Sequence, residues 1–184
     1  FYVDTIMVEV RDTSIAAEMD KIAEDTRLKK GMPFDANILN EERSRITNHM
    51  TENGFFAFNR DFIRYEVDTV RGSTLVRLKM IVSDYIDPTD KSHSPHRKYR
   101  IGDVKYSYDR STSSPIWLRP NVLKRANSLI PGDIYRDSNL SDTYARLNRL
   151  GAVAATNVRL EPDTQDSTLL NANIVITPAR LNSI

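Results

Sequence analysis

The chain has 184 residues, of which 40% are hydrophobic and 28% charged, a balance that excludes a disordered chain and fits a globular one. Its formal net charge is +1, with basic and acidic residues interspersed, so no basic patch marks nucleic acid as a partner. Cysteine is absent, which excludes disulfides and thiolate chemistry, and no apolar run reaches the roughly 18 residues of a membrane helix.

A first strand is expected within residues 1–10, where Ile6, Val8 and Val10 alternate with Met7 and Glu9 and form one buried face. Asp12, Thr13 or Ser14 caps a helix whose stripe is Ile15, Met19, Ile22 and Ala23, and Gly31 is expected to end it. Asp35 then caps a second helix with Leu39, Ile46 and Met50 buried, while Glu41, Glu42, Arg43, Arg45 and Glu52 face water. Gly54 closes that helix. The period next changes to two: Ile63, Tyr65 and Val67, then Val76, Leu78, Met80 and Val82, form a hairpin.

The same order recurs. Val104, Tyr106 and Tyr108 are in strand phase, and the break from Ile101 at Gly102 marks a bulge or the strand start. A helix begins near Pro120 with Val122, Leu123, Ala126 and Leu129 on its apolar side, and a second, capped by Asp137 or Ser138, buries Leu140, Tyr144 and Leu147. Val158 and Leu160, then Leu170, Ala172, Ile174 and Ile176, supply the closing strands. Gly31 to Leu39 and Gly132 to Leu140 are both eight residues apart, as a duplicated module requires. The expected fold class is α+β: two tandem β-α-α-β-β modules, each a three-stranded mixed sheet with two helices on one face. The modules are placed at residues 1–88 and 99–184, joined by a polar, proline-containing linker at 89–98.

Chemistry-bearing patterns are sparse. No phosphate-loop, zincin or nucleophile-elbow motif is present, so no catalytic, cofactor-binding or metal-ligating residue is assigned. His93 and His96 lack further ligands and read as linker surface; His49 reads as a partner for a helix end. Asp68 and Asp163 read as turn formers. Phe55, Phe56, Phe58 and Phe62 serve either the core or an interface, and Trp117 divides in the same way. The edge of the first hairpin strand, flanked by Arg60 and Arg64, is either guarded by those charges or open to an extended partner. The candidate partner-binding residues are therefore Phe58, Arg60, Phe62, Ile63, Arg64, Tyr65 and Trp117.

Gly31-Met32-Pro33-Phe34-Asp35, Leu39, Glu42, Arg43, Ile46, Gly54-Phe55-Phe56, Phe58, Tyr65 and Val67-Asp68 resemble the POTRA domains of BamA/TamA-like outer-membrane proteins, the Omp85 superfamily with its surface-antigen branch. Ile101-Gly102-Asp103-Val104, Pro131-Gly132-Asp133-Ile134-Tyr135, Leu140, Leu147 and Gly151 resemble a second such domain. The resemblance implies a periplasmic, non-enzymatic role ahead of a covalently continuous C-terminal outer-membrane barrel. Its implied partners are unfolded or partly folded outer-membrane clients and periplasmic accessory proteins, without cofactor, small-molecule substrate or nucleic acid. Two rival readings are an RNA-binding α+β module, which the mixed charge disfavours, and a passive spacer for a membrane barrel.

Overall fold

The computed structural model describes residues 1–69, 71–109 and 118–179. The chain divides into two compact units, one formed by Phe1–Thr51 and Ala57–Arg97, the other by Glu52–Phe56 and Lys98–Ile184. In the first, β1 (Tyr2–Val10) is followed by α1 (Thr13–Lys21), a 3-10 turn (Ala23–Asp25), α2 (Ala36–Glu52), β2 (Ile63–Thr69) and β3 (Leu75–Val82). The sheet order is β1-β3-β2, with β1 parallel and β2 antiparallel to β3. A small ladder of β4 (Tyr85–Ile86) and β5 (His93–Ser94) completes the unit.

The second unit repeats the plan with β6 (Arg100–Tyr108), α3 (Pro120–Ala126), α4 (Asp137–Asn148), β7 (Val153–Pro162) and β8 (Leu169–Pro178). Its order is β6-β8-β7, again with one parallel and one antiparallel pairing. Each unit is thus a three-stranded mixed sheet with two helices, because neither an amphipathic helix nor a half-apolar sheet can bury its stripe alone.

Burial follows the two periodicities. Ile15 of α1, Leu39, Ile46 and Met50 of α2, and Leu78, Met80 and Val82 of the central strand are all buried. In the second unit Leu123, Ala126 and Leu147 close on Ile174 and Ile176, and Leu129 and Tyr135 join Ile101, Leu170 and Ala172. Asp12 caps α1 as expected, accepting from the backbone N–H groups of Ser14 and Ile15.

Gly31 does not end the first helix, which stops at Lys21; its role is to turn the chain back onto β1. With φ at +85°, it donates its N–H to the Val3 carbonyl, while Met32 accepts from Val3 and Phe34 donates to Phe1. Gly132, at +90°, does the same for Ile101, and Tyr135 donates to Tyr99. The repeated glycine motif is therefore a clip over the first residues of each module's opening strand. Gly132→Ala, with open space for the new methyl group, is expected to cost only the backbone strain, about 1 kcal/mol, as a shift in denaturant midpoint.

A bulge interrupts β1 between Val3 and Thr5 and β6 between Ile101 and Val104. Of the two readings of the phase break at Gly102, the bulge is the one present, and β1 carries a counterpart that the sequence reading did not include. The bulge keeps Val3 and, beyond it, Ile6, Val8 and Val10 on the helix-covered side.

Several charged and polar residues depart from expectation. Glu42 is 1% exposed rather than facing water, and Arg45 and Arg43 are half-buried. Glu18, on the buried side of α1, binds Lys21 at 2.9 Å and His49 at 3.1 Å, so His49 partners a carboxylate rather than a helix end. His96 is also buried. Its backbone N–H donates to Asp12 at 2.6 Å, its Nε2 donates to the Ser83 carbonyl, and its ring packs among Phe58, Phe62 and Tyr85.

Candidate functional site

The free edges of the first sheet follow from its register. Ser83 donates to the Phe62 carbonyl, which fixes the alternation of β2: Arg64, Glu66 and Asp68 turn their backbone groups toward β3, and Tyr65 and Val67 turn theirs outward. Those inward residues take the odd-numbered side of β3, leaving Leu78, Met80 and Val82 to face β1. Ile6, Val8 and Val10 stand opposite them in register and so direct their own N–H and C=O groups away from the sheet. The clip covers residues 1–3 but not this second half.

Beside that second half lies an apolar groove of about 500 Å³. Ile6, Val8 and Val10 form one wall, Met19, Ile22 and Ala23 the other, and Glu42 and Arg45 lie at its polar end. The expected burial of the β1 stripe is thus incomplete: Ile6 and Val10 are half-buried and Val8 is 54% exposed. The helix that would have sealed them stops at Lys21 and gives way to the 3-10 turn.

The polar end is a closed hydrogen-bonded set. Glu42 accepts from Arg45 Nη2 at 2.6 Å and Nε at 2.9 Å, from the Thr26 hydroxyl at 2.8 Å and from the Arg27 N–H at 2.9 Å. Arg45 Nη1 donates to the Ile22 carbonyl. Burial alone would raise the Glu42 carboxyl, but the bonds from Arg45, Arg27 and Thr26 outweigh it and hold the group below its ordinary value. The charges neutralise one another there, leaving the groove itself apolar.

The sequence-predicted residues are spread over several environments. Phe58 and Ile63 are core, and Phe62 packs half-buried against Phe58 and His96. Arg60 and Arg64 are exposed. Tyr65 is half-buried, donates its hydroxyl to the Leu39 carbonyl and lies under the Arg43 guanidinium at 5.2 Å. Burial, then the Glu42 charge, push its phenol up to about 12 despite the nearby arginines. Trp117 lies outside the described residues. Phe55 is fully buried and Phe56 packs edge-on against Tyr135 within the second unit. The sequence-based reading missed β1 as an open edge, although the apolar Val8 on a terminal strand carried the signal.

Asp163 is a turn former as expected, accepting from the N–H groups of Gln165 and Asp166. Among the described residues no group of three or more His, Cys, Asp or Glu can hold a metal ion, and no helix is long and apolar enough to cross a membrane. What the geometry presents is backbone donors and acceptors along an edge, next to apolar side chains.

A small mixed sheet under two helices, repeated in tandem, defines a module of the POTRA type. No family model and no curated protein matches the sequence. Among solved structures, the fold is similar to POTRA domains 3 to 5 of BamA from Haemophilus influenzae, with a TM-score of 0.62 and 11% identity over 96% of this chain and 61% of that one. It is also similar to BamA from Haemophilus ducreyi lacking POTRA domains 1–3, with a TM-score of 0.67 and 13% identity over 97% of this chain and 30% of that one. The chain therefore has the fold of tandem POTRA domains and spans about three fifths of the first of these structures.

Proposed function

We propose that the chain is a periplasmic protein-binding segment of an outer-membrane assembly or translocation factor. It receives unfolded or partly folded outer-membrane proteins, and periplasmic accessory proteins, by strand pairing and apolar contact, and orients clients toward a C-terminal β-barrel. No bond is made or broken in this role. The observation that supports it most directly is the outward backbone of Ile6, Val8 and Val10 running beside an apolar groove. Backbone groups there bind an extended segment with little sequence selectivity, while its alternate side chains enter the groove. The β2 edge at Tyr65 and Val67, next to the predicted residues Ile63 and Arg64, is the second berth.

Proline distinguishes the two without dismantling the sheet, provided it replaces a residue whose N–H already points outward. Val8 and Val67 meet that condition. Ile63 does not, because its N–H is held by the Arg60 carbonyl, and the N–H of Arg64 faces β3. With a purified outer-membrane barrel protein diluted from urea as client, Val8→Pro is expected to reduce photo-crosslinking to β1 several-fold while leaving the circular dichroism spectrum intact. Loss with Val67→Pro alone would move the berth to β2. Unchanged crosslinking in both folded variants would reject strand pairing by this unit.

A further inference from the structure

The register of β7 places one side chain across the edge of the second sheet. Asp163 donates its N–H to the Leu169 carbonyl, so Glu161 and Arg159 face β8 and Leu160, Val158 and Thr156 turn their backbone groups outward. The middle one of these is occupied. The Val158 N–H donates to the Tyr144 hydroxyl oxygen at 2.9 Å, and that hydroxyl donates to the Val158 carbonyl at 3.4 Å. Pro162, at the next-but-one outward position, has no N–H to offer. A strand laid along β7 would find its central pair taken and one donor missing.

The first unit carries a different residue at the same place. Arg43 lies four residues beyond Leu39, as Tyr144 lies four beyond Leu140. A guanidinium has donors only and cannot accept an edge N–H as a hydroxyl does. Arg43 instead stacks over Tyr65, its Nε is buried without a partner, and the outward groups of Tyr65 and Val67 stay open.

We propose that Tyr144 is an edge seal: it closes the hairpin edge of the second unit to strand addition and so leaves, of the two hairpin edges, that of the first unit for extended partners. The direction of traffic rests on the function proposed above, whereas the seal itself does not. Its test uses the whole chain carrying Val8→Pro and Val67→Pro, which silence the edges of the first unit. The probe is a fluorescein-labelled peptide copying Leu169–Pro178, the natural antiparallel neighbour of β7.

Tyr144→Phe keeps the ring and removes the hydroxyl. It is expected to accelerate amide exchange at Val158 about tenfold, the equivalent of about 1.4 kcal/mol for one net hydrogen bond, and to raise peptide affinity by a similar factor in fluorescence polarisation. Adding Val158→Pro should return binding to the parental level. Unchanged exchange at Val158, or faster exchange without a gain in peptide binding, would overturn the seal. Failure of the client crosslinking described earlier would leave this outcome untouched, so the two ideas fall separately.

Discussion

Replacing Glu42 with alanine is expected to lower the unfolding free energy of the first unit by about 3 kcal/mol, read as a shift in the urea midpoint at unchanged slope. The carboxylate side chain is 2% exposed and answers the Arg45 guanidinium, one hydroxyl and one backbone N–H, so its removal strands several buried donors at once. The Arg45 side chain is 21% exposed, which lets water recover part of the loss and places the estimate at the lower end for a buried pair. Glu42→Gln keeps the shape and some acceptor capacity, and its cost should be smaller. The pH dependence separates charge from shape. Because the folded carboxyl titrates below its ordinary value of 4.5, its contribution is fully present above that value and is lost as pH falls through the depressed one. Glu42→Gln should therefore flatten the acid limb of the stability profile. Asp12, whose burial is likewise outweighed by hydrogen bonds from Ser14, His96 and Ile15, should retain the remaining acid sensitivity.

Leu147→Ala is expected to cost the second unit about 3 kcal/mol, within the range for a buried leucine whose neighbours relax only in part. Leu147 has no exposed surface and sits among Leu123, Ala126, Val153, Ile174 and Ile176, which come from α3, β7 and β8 and cannot all move inward together. Leu147→Met, nearly conserving volume, should cost less than about 1.5 kcal/mol. Amide exchange should accelerate at β8 residues 174 and 176 and stay unchanged at Leu78 and Met80 of β3. Equal acceleration in both sheets would refute two separate cores.

The layout of strands and helices was legible because each side of the argument was periodic. Leu39, Ile46 and Met50 recur at helical spacing, and Val76, Leu78, Met80 and Val82 at strand spacing, so local pattern and global burial agree. The phase break at Gly102 left a bulge and a strand start as alternatives, and the register of β6 on β8 decides for the bulge. What escaped the sequence were the partners that depend on chain separation. Glu42 reads as a solvated helix face until Thr26 and Arg27 are folded against it, and His96 reads as linker until Asp12 and Ser83 meet it. The same holds for the candidate site. Aromatic content pointed to Phe58 and Phe62, which the structure uses as packing, whereas the groove beside Val8 depends on where α1 stops. Which backbone groups of a strand are spare is decided by register, and register is a property of pairs of strands rather than of either one.

The clip at Gly31 has a kinetic corollary. By occupying the opening residues of β1, it restricts any visiting strand to the run from Ile6 to Val10, five positions and roughly 17 Å of ladder at about 3.3 Å per residue. So short a berth holds its guest through only a few hydrogen bonds of modest net strength. Grip and release then differ by little free energy, so under the proposed function a client would leave this edge without an external source of work.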